Sequence, residues 1–172
     1  LNEEKRLGAV LHQVKKITND IVIVDSGSTD NTKILAEQYG ATFISQPWLG
    51  NGFQKRVGEE ACKNNWVLDL DADEVPTDEL LDEIAATLSS HPPQNHVYGI
   101  NMVTVPPYGK PWHNFALDLR YKLYCTSQVR MPEHKAWDQL ELSSNTAKKT
   151  LRHNIMHHSF SGVTQMVDKW NK

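Results

Sequence analysis

Four β-branched residues in a row, Ile21-Val22-Ile23-Val24, end on Asp25. Branching at Cβ crowds a helix and suits extended chain. With no polar residue interrupting it, the run reads as a strand buried on both faces, as in a parallel sheet. Its surroundings agree. Leu7, Val10, Leu11, Val14 and Ile17 recur ahead of it at steps of three and four, one face of a helix. After it comes a polar turn, Ser26 to Asn31, where Thr29 or Asp30 can cap a second helix that carries Ile34, Leu35 and Tyr39 and stops at Gly40. Ala41 to Ser45 reads as a second strand, and Phe53, Val57 and Ala61 mark a third helix. Trp66-Val67-Leu68 is a third strand. Thr77 opens a fourth helix, with Asp78 and Glu79 at its positive end and Leu80, Leu81, Ile84, Ala85 and Leu88 along one stripe. Such alternation predicts an α/β fold around a mostly parallel sheet flanked by helices.

After His91-Pro92-Pro93 the pattern changes. Val97 to Val105 and Arg120 to Thr126 read as longer strands separated by a Pro/Gly loop from Pro106 to Pro111, and Val163 to Trp170 as a closing helix. These strands are expected to be antiparallel and to pack beside the parallel part. With 172 residues, one domain is expected, with residues 1–90 and 91–172 as its two halves. A formal net charge of -3 leaves no positive excess to meet phosphates, so no nucleic-acid partner is expected. Cys62 and Cys125 form no CxxC pair and fit reduced thiols in a cytoplasmic protein. No apolar run approaches the roughly 20 residues of a membrane span, and no signal peptide is evident at Leu1. Peripheral contact with an inner membrane, through Val163, Val167 and Trp170 with Lys169 and Lys172, remains compatible with the sequence.

The chemistry concentrates where the third strand runs into Asp69-Leu70-Asp71-Ala72-Asp73-Glu74. Residues two apart on extended chain point the same way, so Asp71 and Asp73 face one ligand. Two carboxylates there repel unless a cation lies between them. Oxygen ligands suit Mg or Mn, with a diphosphate completing the coordination. The bland alternative is an acidic turn that only caps the Thr77 helix. Asp25 ends a neighbouring strand at a second acidic turn. It can accept a hydrogen bond from a uracil imide or a ribose hydroxyl, or simply fold its own turn.

Four segments in order then resemble family 2 of the inverting GT-A glycosyltransferases, within it the bacterial lipopolysaccharide-core glucosyltransferase branch. They are Leu1-Asn2-Glu3-Glu4; Val22 to Asp30; Gln46-Pro47-Trp48 through Gln54-Lys55-Arg56; and Trp66 to Glu74. The resemblance implies a GT-A fold and places Glu3 in a base-contacting turn, with Asp25 as the nucleotide-binding carboxylate. It puts Lys55 and Arg56 near the nucleotide, the alternative being plain helix-surface cations. Asp71 is similar to the ribose- and metal-contacting acid, and Asp73 to the direct metal ligand. His157, in His157-His158-Ser159-Phe160, resembles a late histidine that approaches the metal or the pyrophosphate. For the general base the resemblance points first to Glu133, in the reversed pair Glu133-His134, then to Asp138, with His134 as a third candidate.

The resemblance implies a UDP-sugar donor, by the family's habit UDP-glucose, and a saccharide or lipid-linked saccharide acceptor. The loop carrying Tyr108, Trp112, His113 and Phe115 offers rings for that acceptor, or packs only on itself. Three other readings are open to these residues. An aspartate-dependent phosphohydrolase would use Asp69-Leu70-Asp71 but want Thr or Val where Asp73 stands. A calcium loop through Asp69, Asp71 and Asp73 would need Gly at Glu74 and Glu at Leu80. A family member that binds nucleotide-sugar without turning it over fits every motif. The resemblance also implies an apolar first strand ahead of the Asn2-Glu3-Glu4 turn, lying centrally between Ile21–Asp25 and Trp66–Leu70, so the chain is expected to be part of a longer protein.

Overall fold

The computed structural model describes residues 1–113, 118–160, 162 and 164. The closing helix expected from Val163 to Trp170 lies outside these residues apart from Thr164, as do Phe115 and the C-terminal residues considered for membrane contact.

The first part follows the expected order. Helix α1 (Leu7–Val14) buries Leu7, Val10, Leu11 and Val14, the stripe positions. Strand β1 (Val22–Asp25) leads through α2 (Thr32–Gln38) to β2 (Thr42–Ser45), and the two strands pair in parallel with Val22 opposite Thr42. Then follow α3 (Asn51–Ala61), β3 (Trp66–Leu68), β4 (Glu74–Pro76) and α4 (Asp78–Ser89). The Thr77 hydroxyl caps α4 by accepting from the Leu80 amide at 3.2 Å. The later strands are β5 (His96–Thr104), β6 (Asp118–Cys125) and β7 (Ala147–His157).

These strands form two sheets: β1-β2, and β3-β6-β5-β7-β4. The larger sheet is mixed, with β5 and β7 parallel and the other pairs antiparallel. The later strands therefore do not merely pack beside the earlier ones: they share a sheet with β3 and β4, while β1 and β2 form a separate pair. Three residues are too short for β3 or β4 to stand alone, so each finds its ladder on a long strand from the far half of the chain. β4 and β7 carried no clear period in the sequence. Helix α4 covers one face of this sheet, with Leu80 and Ile84 packed on Ile100, Met102, Leu123 and Ile155. A second cluster joins α1 to Ile21, with Leu35, Tyr39 and Leu70 against it.

Among the described residues β1 pairs only with β2, and β3 only with β6. Between them runs a cleft of about 1050 Å³, lined by Val22 to Val24 on one side and Trp66 to Leu68 on the other, with Leu11, Ile84 and Leu88 contributing apolar surface. The same cleft reaches Asp25, Asp71 and Asp73.

Candidate active site

Two turns at the end of β1 lock together. Asp25, almost fully buried, accepts from the Gly27 and Ser28 amides at 2.8 and 2.7 Å and from the Ser28 hydroxyl. Burial opposes its ionisation, but these hydrogen bonds outweigh it and hold its pKa below the ordinary carboxylate value. The opening turn is zipped to the next: the Asn2 amide donates to Ser28 Oγ, Glu3 to Thr32 Oγ1 and Glu4 to Asp30 Oδ2. Asn2 takes φ 57°, a left-handed conformation that asparagine tolerates. Glu3 thereby stands beside the Asp25 turn, its carboxylate held by Arg6 Nε and NH2 at 2.7 and 2.8 Å.

The acidic segment after β3 rests on two lysines. Lys55, projecting from the middle of α3, lies 2.7 Å from Asp69, 3.2 Å from Asp71 and 4.0 Å from Asp138. Burial of its ammonium works against the charge, but the Asp69 and Asp71 charges outweigh this and raise its pKa. Lys122 on β6 makes a buried 2.7 Å pair with Glu74. Glu74 Oε2 in turn accepts from the Asp71 amide at 2.9 Å, which fixes the turn on which Asp71 and Asp73 sit. Asp71 itself stays half exposed (50%) towards the cleft, and its pKa is lowered because Lys55 and Lys122 outweigh the cost of burial.

Asp73 meets the end of β7. Its carboxylate is 3.7 Å from His157 Nε2 and 3.4 Å from Arg6, and its carbonyl accepts from the His158 amide at 2.8 Å. Burial works against the Asp73 charge, yet His157 and Arg6 prevail and lower its pKa. The hydrogen bond to Asp73 raises the pKa of His157. Ser159 Oγ lies 3.1 Å from the other ring nitrogen and orients the imidazole.

The loop from Met131 to Asp138 is clamped onto α3. Glu59, buried on α3, accepts from Tyr124 Oη at 2.6 Å, the Met131 amide at 2.7 Å and Arg130 Nε at 2.7 Å. At the start of α3 the Asn51 amide donates to the Lys135 carbonyl and the Gly52 amide to that of His134, both at 3.0 Å. A Cβ on Gly52 would lie 2.1 Å from the Pro132 carbonyl oxygen, so only glycine allows this approach. Asp138 thus reaches the cleft, while Glu133 is exposed and does not line it. His134 is spent on the loop, its Nδ1 accepting from the Ala136 and Trp137 amides. Arg56 points away from the acidic end: its Nε and NH2 both donate to the Met131 carbonyl.

The cleft therefore brings together Glu3, Asp25, Lys55, Asp71, Asp73, Asp138 and His157, and leaves out Glu133 and Arg56. Sequence reasoning missed Arg6, Lys122, Glu74 and Glu59. The one available signal was Lys122, a cation between Tyr121 and Leu123 in an otherwise apolar strand. Among the described residues no three His, Cys, Asp or Glu side chains converge to hold a metal ion by themselves. Asp73 with His157 suits a cation whose remaining ligands come from a diphosphate, the common way Mg is held beside phosphates.

The model of one protein family, described as Glycosyl transferase family 2, matches residues 1–160. An uncharacterized glycosyltransferase of Rickettsia conorii, RC0292, is 46% identical over 90 residues, covering 52% of this chain and 32% of that protein. The lipopolysaccharide core biosynthesis glycosyltransferase LpsC of Rhizobium meliloti is 40% identical over 79 residues, covering 43% of this chain and 29% of its own length. This chain spans about a third of the length of the curated relatives it matches. In three dimensions it is similar to residues 1–349 of Staphylococcus aureus TarS, with TM-score 0.65 and 22% identity over 92% of this chain and 58% of that one. The TarS complex with UDP gives TM-score 0.64 at 21% identity, covering 90% of this chain and 57% of that one.

Proposed function

Because this chain belongs to glycosyl transferase family 2 and has a GT-A fold, we propose that it carries the donor site of an inverting hexosyltransferase that uses a UDP-sugar. The observation that supports this reading above others is the single cleft shared by Asp25, Lys55, Asp71, Asp73, Asp138 and His157. Asp25 and Glu3 hold the nucleoside at the end of β1. Asp71 contacts the ribose, and Asp73 with His157 holds a Mg or Mn ion at the diphosphate. When bound, that ion supplies positive charge to the departing diphosphate. Lys55 adds a second, fixed positive charge on the same side.

Inversion takes one displacement. Asp138 accepts the proton of the acceptor hydroxyl while its oxygen bonds to the anomeric carbon and the bond from that carbon to the diphosphate breaks. No covalent sugar–enzyme intermediate forms, so no nucleophilic Ser or Cys is required. Glucose is the proposed sugar, and a saccharide of lipopolysaccharide core or another surface glycan the proposed acceptor. The printed name of the Rhizobium relative supports that acceptor class. Among the described residues no helix is long and apolar enough to cross a membrane. We place the reaction at the cytoplasmic side, where UDP-sugars are made.

The test is calorimetric titration of UDP with and without Mn. Binding that strengthens at least tenfold with Mn in the wild type, and does not in Asp73→Asn, is expected. Equal affinity in both conditions sinks the cation-bridged diphosphate.

A further inference from the structure

We propose that Trp48 and Trp137 form the acceptor subsite, two indole faces on which a pyranose ring of the acceptor stacks while its hydroxyl faces Asp138. This rests on the transferase reading above, with Asp138 as the base.

Both rings are exposed, Trp48 by 59% and Trp137 by 51%. Trp66 and Trp112 are at least half-buried by comparison. The two exposed rings stand on loops that are held against one another. Alongside the Asn51–Lys135 and Gly52–His134 backbone bonds, Asn51 Nδ2 donates to the Ala136 carbonyl at 3.3 Å. The His134 ring accepts the Trp137 amide itself at 2.9 Å. Gly50, at φ 131°, lets the chain after Trp48 pass so close that a Cβ there would lie 2.3 Å from Lys135 Cα. The rings are therefore held out by ordered backbone, not left out by slack chain. Two large exposed aromatic side chains on loops braced against each other make a candidate binding surface.

Its position says what binds. Trp48 lines the same cleft as Lys55, Asp71 and Asp138, and Trp137 immediately precedes Asp138. A ligand lying on Trp48 shares the cleft with the proposed base. The neighbouring charges are mixed, with Glu133 and Asp138 set against Lys135. An anionic membrane surface would call for a cluster of cations, and none is grouped here. A sugar satisfies both features. Its C–H face is apolar and meets an indole, while its hydroxyls reach the carboxylates at the rim.

The experiment uses intrinsic tryptophan fluorescence of the protein, titrated with maltose, cellobiose, lactose and the core oligosaccharide released from deep-rough lipopolysaccharide. Saturable quenching by at least one of these is expected, and none from any of the four overturns the proposal. Steady-state transfer to the same oligosaccharide is then compared for Trp48→Ala, Trp137→Ala and the two Tyr variants, each checked for a cooperative thermal transition. The Ala variants should raise the acceptor KM about tenfold with kcat little changed, and Tyr should restore it to within about threefold. An unchanged acceptor KM, or a loss confined to sedimentation with anionic vesicles, overturns it. So does a matching rise in the UDP Kd, which would assign the rings to the donor. Saccharide binding without turnover leaves the subsite standing and sinks the transferase reading; turnover indifferent to both rings does the reverse.

Discussion

Lys55 Nζ stands 4.0 Å from the Asp138 carboxylate and 3.2 Å from Asp71. One ammonium thus ties the loop that bears the proposed base to the strand end that bears the proposed nucleotide ligands. Glu133 has no such tie and lies outside the cleft. Asp138→Asn should keep UDP binding and lower kcat about 10²- to 10⁴-fold, the usual range for a general base. Glu133→Gln should stay near wild type. Rates of UDP release in the presence of acceptor decide between them, and the opposite ranking moves the role to Glu133.

Glu59 is the centre of the clamp beneath that loop. Truncating it strands the Tyr124 hydroxyl and the Met131 amide at once and leaves the Arg130 guanidinium only its longer pair with Glu60. Removing one partner of a buried charged network costs about 3–5 kcal/mol. For a domain of this size that corresponds to a fall in Tm of roughly 6–20 °C. Glu59→Gln, which can still accept two of the three bonds, should lose less than half as much. Equal losses in thermal melts of the two variants would mean that charge rather than bond count holds the loop.

Asp25 makes stability depend on pH in a definite direction. Its folded pKa lies below the ordinary 3.8. The folded state therefore binds its proton less readily than the unfolded state does. The stabilisation is complete above about pH 5 and is lost as pH falls through the folded value. The Tm gap between wild type and Asp25→Asn should be constant from about pH 7 to 5 and narrow at lower pH. A gap that instead widens in acid would show that the carboxylate's hydrogen bonds are not made in solution.

The cleft between β1 and β3 presents two strand edges and an apolar lining that α1 and α4 help to form. Leu1 lines the same cleft. Joining five apolar, β-branched residues ahead of Leu1 should fill it and pair both edges. Such a fusion should melt several degrees higher than one with five Gly/Ser residues, and it should slow amide exchange in Val22–Val24 and Trp66–Leu68. Identical melting and exchange would show that the edges are already satisfied in another way.

Local signals were enough to read much of this molecule. The α1 stripe, the Thr77 cap and the carboxylates at the ends of β1 and β3 all follow from residues within a turn or two of each other. β7 was illegible because Ala147–His157 shows no steady alternation of buried and exposed positions. With β7 hidden, the partners that depend on it were hidden too, including the meeting of His157 with Asp73. The resemblance named His157, but only the fold shows Arg6 beside the same carboxylate. Choosing between Glu133 and Asp138 was a question of which side of one loop faces inward. In the structure Asp138 lines the cleft and Glu133 does not, a placement that goes with the close glycine contacts at 50 and 52, which no pattern in the 130s reveals.

The register that sets Glu74 opposite His157 also orders events in time. β1 and β2 are close in sequence and can pair early, but β4 has no ladder until β7 has been made and threaded beside β5. Pairings this distant in sequence form slowly, because loop closure must be met before any contact rewards it. On a ribosome residues 1–100 would be made with β3 and β4, which flank Asp71 and Asp73, still unpaired and without His157. A growing chain therefore lacks the Asp73–His157 pairing until β7 docks, and copies without β7 cannot hold the diphosphate in the proposed way.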